Sequence, residues 1–114
     1  HKTQKQEINL SPLLAYGENA GSLERLITET EQEMEEVCEA YEYNDMGGLD
    51  NMIHHLRSSW MLINAEYPLR ELYDLIHKPR YESEELDEKV QAVLNNGDCI
   101  IRLARKTKEG LWEK

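Results

Sequence analysis

Asn51-Met52-Ile53-His54-His55-Leu56-Arg57-Ser58-Ser59-Trp60-Met61-Leu62-Ile63-Asn64-Ala65 is the stretch around which the chain is organised. With Leu49 just ahead of it, Met52, Ile53, Leu56, Trp60 and Ile63 recur at spacings of three and four, the stripe of an amphipathic helix. Steps of about 100° per residue set His54 some 150° from the centre of that stripe and His55 about 110° away. His54 is thus expected to point out to solvent and His55 to sit on the flank. Asp50, Arg57, Ser58 and Met61 share the outer face with His54. An imidazole placed this way is open to another macromolecule and has no partner groups for chemistry of its own.

Working outward, helices are expected on both sides. Asn44-Asp45-Met46-Gly47-Gly48 breaks the preceding helix, and Asp45 suits the N-cap of one running from Met46 to Asn64. Before the break, Ser22 to Tyr43 carries Leu23, Leu26, Ile27, Thr30, Met34, Val37, Cys38 and Tyr41 on one face. Its other faces hold Glu24, Glu29, Glu31, Glu33, Glu35, Glu36, Glu39 and Glu42, read as a solvated surface and not as a metal site. Earlier still, residues 1–8 form a polar lead-in or linker. A short helix follows over Asn9–Tyr16, with Ser11 as N-cap, Pro12 at its first position and Gly17 ending it. It is expected to lie as a lid on the core through Leu10, Leu13 and Leu14, with a connector over Glu18–Gly21.

Downstream, Pro68 suits the first turn of a helix through Leu69, Leu72, Tyr73, Leu75 and Ile76, which Lys78-Pro79-Arg80 ends. The last helix opens at Ser83 with the stripe Leu86, Val90, Val93, Leu94, Ile100, Ile101 and Ala104. Asn95-Asn96-Gly97-Asp98 looks like a turn inside it. Yet Val90, Val93, Leu94, Gly97, Ile101 and Ala104 keep one helical phase across that string, so a continuous helix is preferred and a helical hairpin is the alternative. No strand alternation occurs. The expected fold is all-α: an antiparallel up-down four-helix bundle with a short N-terminal lid helix, one domain over residues 9–114.

Composition narrows the function classes. A chain of 114 residues is one domain with a single core. A net charge of -10 repels nucleic acid and anionic membranes, so neither is an expected partner. No apolar run reaches the length of a membrane span, and the polar N-terminus shows no signal peptide. Cys38 and Cys99 both read as thiols on apolar helix faces, reduced in a cytoplasmic protein, with a disulfide as the alternative. No glycine loop cradles phosphates, and no Cys-x-x-Cys pair is present. His54 and His55 are adjacent, so they diverge on a helix and cannot share a metal ion. His77 is isolated near a helix end and reads as capping or solvent-exposed. What remains is His54, either a surface nucleophile or an ordinary surface histidine.

His54-His55-Leu56-Arg57-Ser58-Ser59, with Ile63-Asn64-Ala65 a turn later, resembles the histidine-containing phosphotransfer (HPt) domains of bacterial two-component phosphorelays. Their helix typically reads His-x-Leu-Lys-Gly-Ser/Ala followed by Leu-Gly-Ala. In this register His54 matches the phosphorylated histidine, Leu56 the core leucine, Arg57 the usual Lys, Ser58 the Gly, and Asn64 the second Gly. Asp45 matches the aspartate that often opens the helix, and Asn9–Leu14 with the acidic helix is similar to the family's lid and first bundle helix. The resemblance implies phosphoryl transfer from a receiver-domain aspartate to His54 and on to another receiver aspartate. It implies that Arg57 neutralises phosphoryl oxygens and that Asp50, Ser58 and Met61 meet the partner. The partners would be response-regulator receivers; they would carry the Mg ion, and this chain would bind no cofactor and have no kinase activity of its own. The chain would be free-standing or the C-terminal module of a hybrid sensor histidine kinase. Three positions depart from the pattern: Arg57, Ser58, and the absence of any Phe, whose space in the first bundle helix falls to Thr30 or Met34. A helical adaptor that binds a partner through the bundle face is the alternative function.

Overall fold

The computed structural model describes residues 7–14 and 19–112, and among them all regular structure is helical. Five helices follow in order: α1 (Ser11–Leu14), α2 (Asn19–Glu42), α3 (Met46–Leu62), α4 (Tyr67–Ile76) and α5 (Ser83–Trp112). The expected end of the short helix at Tyr16 and Gly17, and residues 1–6 of the lead-in, lie outside the described residues.

Sequence chemistry accounts for most boundaries. Asp45 caps α3 as expected, its carboxylate accepting from the Gly48 N–H at 2.9 Å. Pro68 sits in the first turn of α4, where its missing N–H costs nothing. Both α2 and α3 end through an asparagine with positive φ, Asn44 at 57° and Asn64 at 61°. At each, the next N–H reaches back five residues, Asp45 to the Ala40 carbonyl at 2.8 Å and Ala65 to the Trp60 carbonyl at 2.7 Å. That is the closure usually given to glycine, and asparagine tolerates it better than other side chains. Two expected boundaries shift. Ser11 is already helical, and Asn9 takes the capping role by accepting from the Ser11 N–H at 3.0 Å. The expected connector at 18–21 is largely helix, since α2 opens at Asn19.

α5 is unbroken through Asn95–Asp98. Gly97 is buried where α5 crosses α2, and an ideal Cβ built on it would fall 2.6 Å from Met34 Cγ and against its sulfur. The glycine is there for close approach of the helices, which outweighs its poor helix propensity. Asn96 donates to the Ala65 carbonyl at 2.9 Å, so the turn-like string ties α5 to the link between α3 and α4.

Each helix buries the face its periodicity marks. Leu49, Ile53, Leu56 and Trp60 of α3 meet Leu23, Ile27 and Val37 of α2, Leu69, Leu72 and Leu75 of α4, and Val90, Val93, Ile100 and Ala104 of α5 in one core. Full burial of each large side chain contributes about 1.5–3 kcal/mol. α2 packs on α3 and α5, and α4 packs on α3 and α5, so contacts close a ring of four helices. At 30 residues, α5 is about 45 Å long and sets the 51 Å long axis of the molecule. Its basic last third lies along acidic α2, with Arg105 on Glu31 at 2.7 Å and Lys108 on Glu24. At the other end Tyr41 donates to Asp87 at 2.9 Å. α1 packs on α2: Leu10 is buried, and Leu13, Leu14 and Ile8 pack against the core. Asn9 donates its N–H to the Ile63 carbonyl at 2.8 Å, and Asn64 Nδ2 donates to the Glu7 carbonyl at 3.0 Å.

Two residues, Cys99 and Glu33, depart from expectation. Cys99 is exposed and off the core face of α5, while Cys38 is half-buried; both are free thiols. Thr30 is 1% exposed, as its place on the stripe predicts, and among the described residues its hydroxyl has no hydrogen-bond partner. Glu33 leaves the solvated acidic surface for the α2–α3 seam, where its side chain is 16% exposed.

Candidate functional site

The helical phase of α3 decides what surrounds each histidine. With Leu49, Ile53, Leu56 and Trp60 inward, His54 and His55 are carried to opposite flanks. His55 turns toward α2, where its Nε2–H donates to Glu33 Oε2 at 2.9 Å. A carboxylate only accepts, so the proton on that nitrogen is His55's. Partial burial pushes the Glu33 carboxyl above its ordinary value, and the His55 hydrogen bond partly offsets this. This matches the expected place of His55 on the flank.

His54 turns the other way, toward α4. Its side chain is 56% exposed, close to the 62% of His55, so exposure does not separate the two. What separates them is their surroundings. His54 overhangs a cleft of about 170 Å³ between α3 and α4, lined also by Arg57, Leu69, Arg70 and Tyr73. The Tyr73 ring stands edge-on to the imidazole, with centroids 5.8 Å apart. Asp50, one turn before, brings Oδ1 to 3.7 Å from His54 Nε2. The same oxygen is 3.2 Å from Nε2 of His77 at the end of α4. Tyr73 also stacks obliquely on His77, with centroids 4.2 Å apart.

Two expectations are corrected here. His77 caps α4 and is exposed, as expected, its backbone N–H reaching the Tyr73 carbonyl; it is not isolated, because its ring also holds Asp50. His54 is exposed but does not stand without partners, because α4 supplies Tyr73 and, through Asp50, His77. Neither partner was legible in the sequence, since the only signal is an aspartate one turn before a histidine. The partner across the cleft is 27 residues from Asp50.

The remaining candidates fall as follows. Arg57 is exposed, lines the cleft and, among the described residues, pairs with no carboxylate. Arg70 across the cleft is already held by Glu66 at 2.7 Å. Ser58 is exposed on the turn after His54. Met61 is 52% exposed, and its neighbour Leu62, which sequence reasoning passed over, matches it. Asp50 is half-buried between the histidines and is therefore less open to a partner than its helical phase suggests. Among the described residues no three His, Cys, Asp or Glu side chains converge on a metal position. No described helix is long and apolar enough to cross a membrane.

With this geometry in view, comparison with known protein families, curated proteins and solved structures finds no match to the chain.

Proposed function

We propose that the chain is a histidine phosphotransfer module of a bacterial phosphorelay, folded as an antiparallel up-down four-helix bundle of α2 to α5 with α1 as its lid. The ring of helix contacts supports the bundle. So does the order of the α2–α5 pairs: Glu24 with Lys108, Glu31 with Arg105 and Tyr41 with Asp87 ascend one helix while descending the other. The observation that carries the function is an exposed imidazole with, one turn along the same helix, a guanidinium that pairs with no carboxylate among the described residues. Asn64 adds to it, because its φ of 61° falls where the family motif has glycine.

In this mechanism the Nε2 lone pair of His54 attacks the phosphorus of a receiver's aspartyl phosphate. The N–P bond forms as the acyl P–O bond breaks, and the electron pair leaves on the aspartate oxygen. Imidazole is a fair nucleophile near neutral pH, and phosphoimidazole is a good donor for the return step. Arg57 would neutralise phosphoryl oxygens that its unpaired fork can reach. The divalent ion belongs to the receiver. Met61 and Leu62 offer apolar contact area, and Ser58 sets how closely the partner backbone approaches.

The test is phosphoryl transfer from a phosphorylated receiver to wild type, His54→Gln and His55→Gln. Label on wild type and His55→Gln, and none on His54→Gln, is expected. A wild type that binds receivers and never takes label would replace this reading with the adaptor.

A further inference from the structure

Asp50 lies between two imidazoles, and its charge bears on what His54 can do. A nucleophilic Nε2 needs a free lone pair, so the proton of the neutral ring must sit on Nδ1. A carboxylate beside Nε2 favours the opposite arrangement, because it stabilises a proton on the nitrogen it faces. At 3.7 Å Asp50 Oδ1 is too far for a hydrogen bond to His54, though within reach of a small χ rotation. At 3.2 Å it is bonded to His77. Since the carboxylate only accepts, His77 must carry its proton on Nε2. Tyr73 packs against both rings and limits how far either swings.

We propose that His77 is a positioning residue that holds Asp50 off His54, and thereby keeps the Nε2 lone pair of His54 free to accept a phosphoryl group. The reaction part rests on the phosphocarrier reading; the proton placement does not. With His77 bound, the Asp50 charge is engaged elsewhere, and its repulsion of an incoming phosphoryl group is reduced. The other charged or titratable groups near the pair are known. Arg57 shares α3 with Asp50. From α4 and its N-cap, Glu66, Arg70, Tyr73 and Asp74 line the cleft beside His54. On the α2 side Glu33 is taken up by His55 on the opposite flank of α3.

The experiment uses the whole chain and two readouts. Imidazole nitrogen NMR reports which nitrogen of His54 carries the proton in wild type, His77→Ala, His77→Gln, Asp50→Asn and His77→Ala/Asp50→Asn. Phosphoramidate, a small donor that needs no receiver, reports acceptance; its P–N bond breaks and ammonia leaves as the His54 N–P bond forms. In His77→Ala the His54 proton is expected to move to Nε2, and acceptance to fall about tenfold. His77→Gln, which keeps a donor to Asp50, restores both, as does the double variant. His54 protonation unchanged by His77→Ala, or a double variant no better than His77→Ala, overturns the proposal. If the proton moves as expected and no variant accepts phosphate, the phosphocarrier reading fails and the Asp50–His77 control stands.

Discussion

Gly97→Ala tests the packing that brings the two longest helices together. Inside a helix, alanine is favoured over glycine by about 1 kcal/mol. Against that gain stands Met34. A Cβ on Gly97 would fall 2.6 Å from Met34 Cγ, whereas carbon atoms pack at about 3.5–4.0 Å. Met34 must therefore retreat by about 1 Å. Cγ lies close to the backbone, so the retreat needs a new rotamer or a shift of α2. Overpacking of this kind costs about 1–3 kcal/mol. The expected net effect in wild type runs from near zero to about 2 kcal/mol of destabilisation. With Met34→Ala the obstruction is gone, and Gly97→Ala should then stabilise by up to about 1 kcal/mol. Urea unfolding of the four proteins in this cycle measures the coupling, expected at about 1–3 kcal/mol. Equal stabilisation by Gly97→Ala in both backgrounds would refute the close approach of α2 and α5.

Thr30→Val should stabilise by about 1 kcal/mol in urea titrations, because it removes a buried hydroxyl without a partner at nearly constant volume; destabilisation would mean the hydroxyl is bonded. Asp45→Ala should cost about 1 kcal/mol by losing the cap on Gly48 N–H, read by thermal unfolding. Glu71 is held below the usual carboxylate value, chiefly by a hydrogen bond from Tyr67, with Lys89 adding and partial burial opposing. Its folded value is the lower one. Its stabilisation is therefore present above the ordinary glutamate value and lost as pH falls through the lowered one, and Glu71→Gln should flatten stability over that window. Glu33 has the opposite sign, since burial raises its folded value: its stabilisation is present below the ordinary value and lost as pH rises through the raised one.

Helical phase carried most of the fold. It marked the buried faces of all four long helices, ran α5 through Asn95–Asp98, and put Asp45 at a cap. It also separated His54, set to point out to solvent, from His55 on the flank, though it did not turn His54 toward α4. What it could not supply is the content of the opposite surface. Asp50 and His77, Asn96 and the Ala65 carbonyl, and Gly97 and Met34 each join residues from different helices. One-dimensional spacing says where a side chain points and nothing of what another helix brings to meet it. Glu33 shows the same limit, since its place among seven other glutamates gave no sign that His55 would hold it. Cys99 was misjudged for a smaller reason, because it precedes Ile100 and Ile101 yet lies one step off their face.

The central claim is that His54, and not the equally exposed His55, carries the phosphoryl group. Its most direct test is to phosphorylate the chain from a receiver and map the modified residue by peptide mass spectrometry at alkaline pH, where phosphohistidine survives. One phosphoryl group on His54, linked through Nε2 and lost on brief acid treatment, is the expected result. A phosphoryl group on His55 or His77, or none on any histidine while a competent receiver turns over, would contradict it.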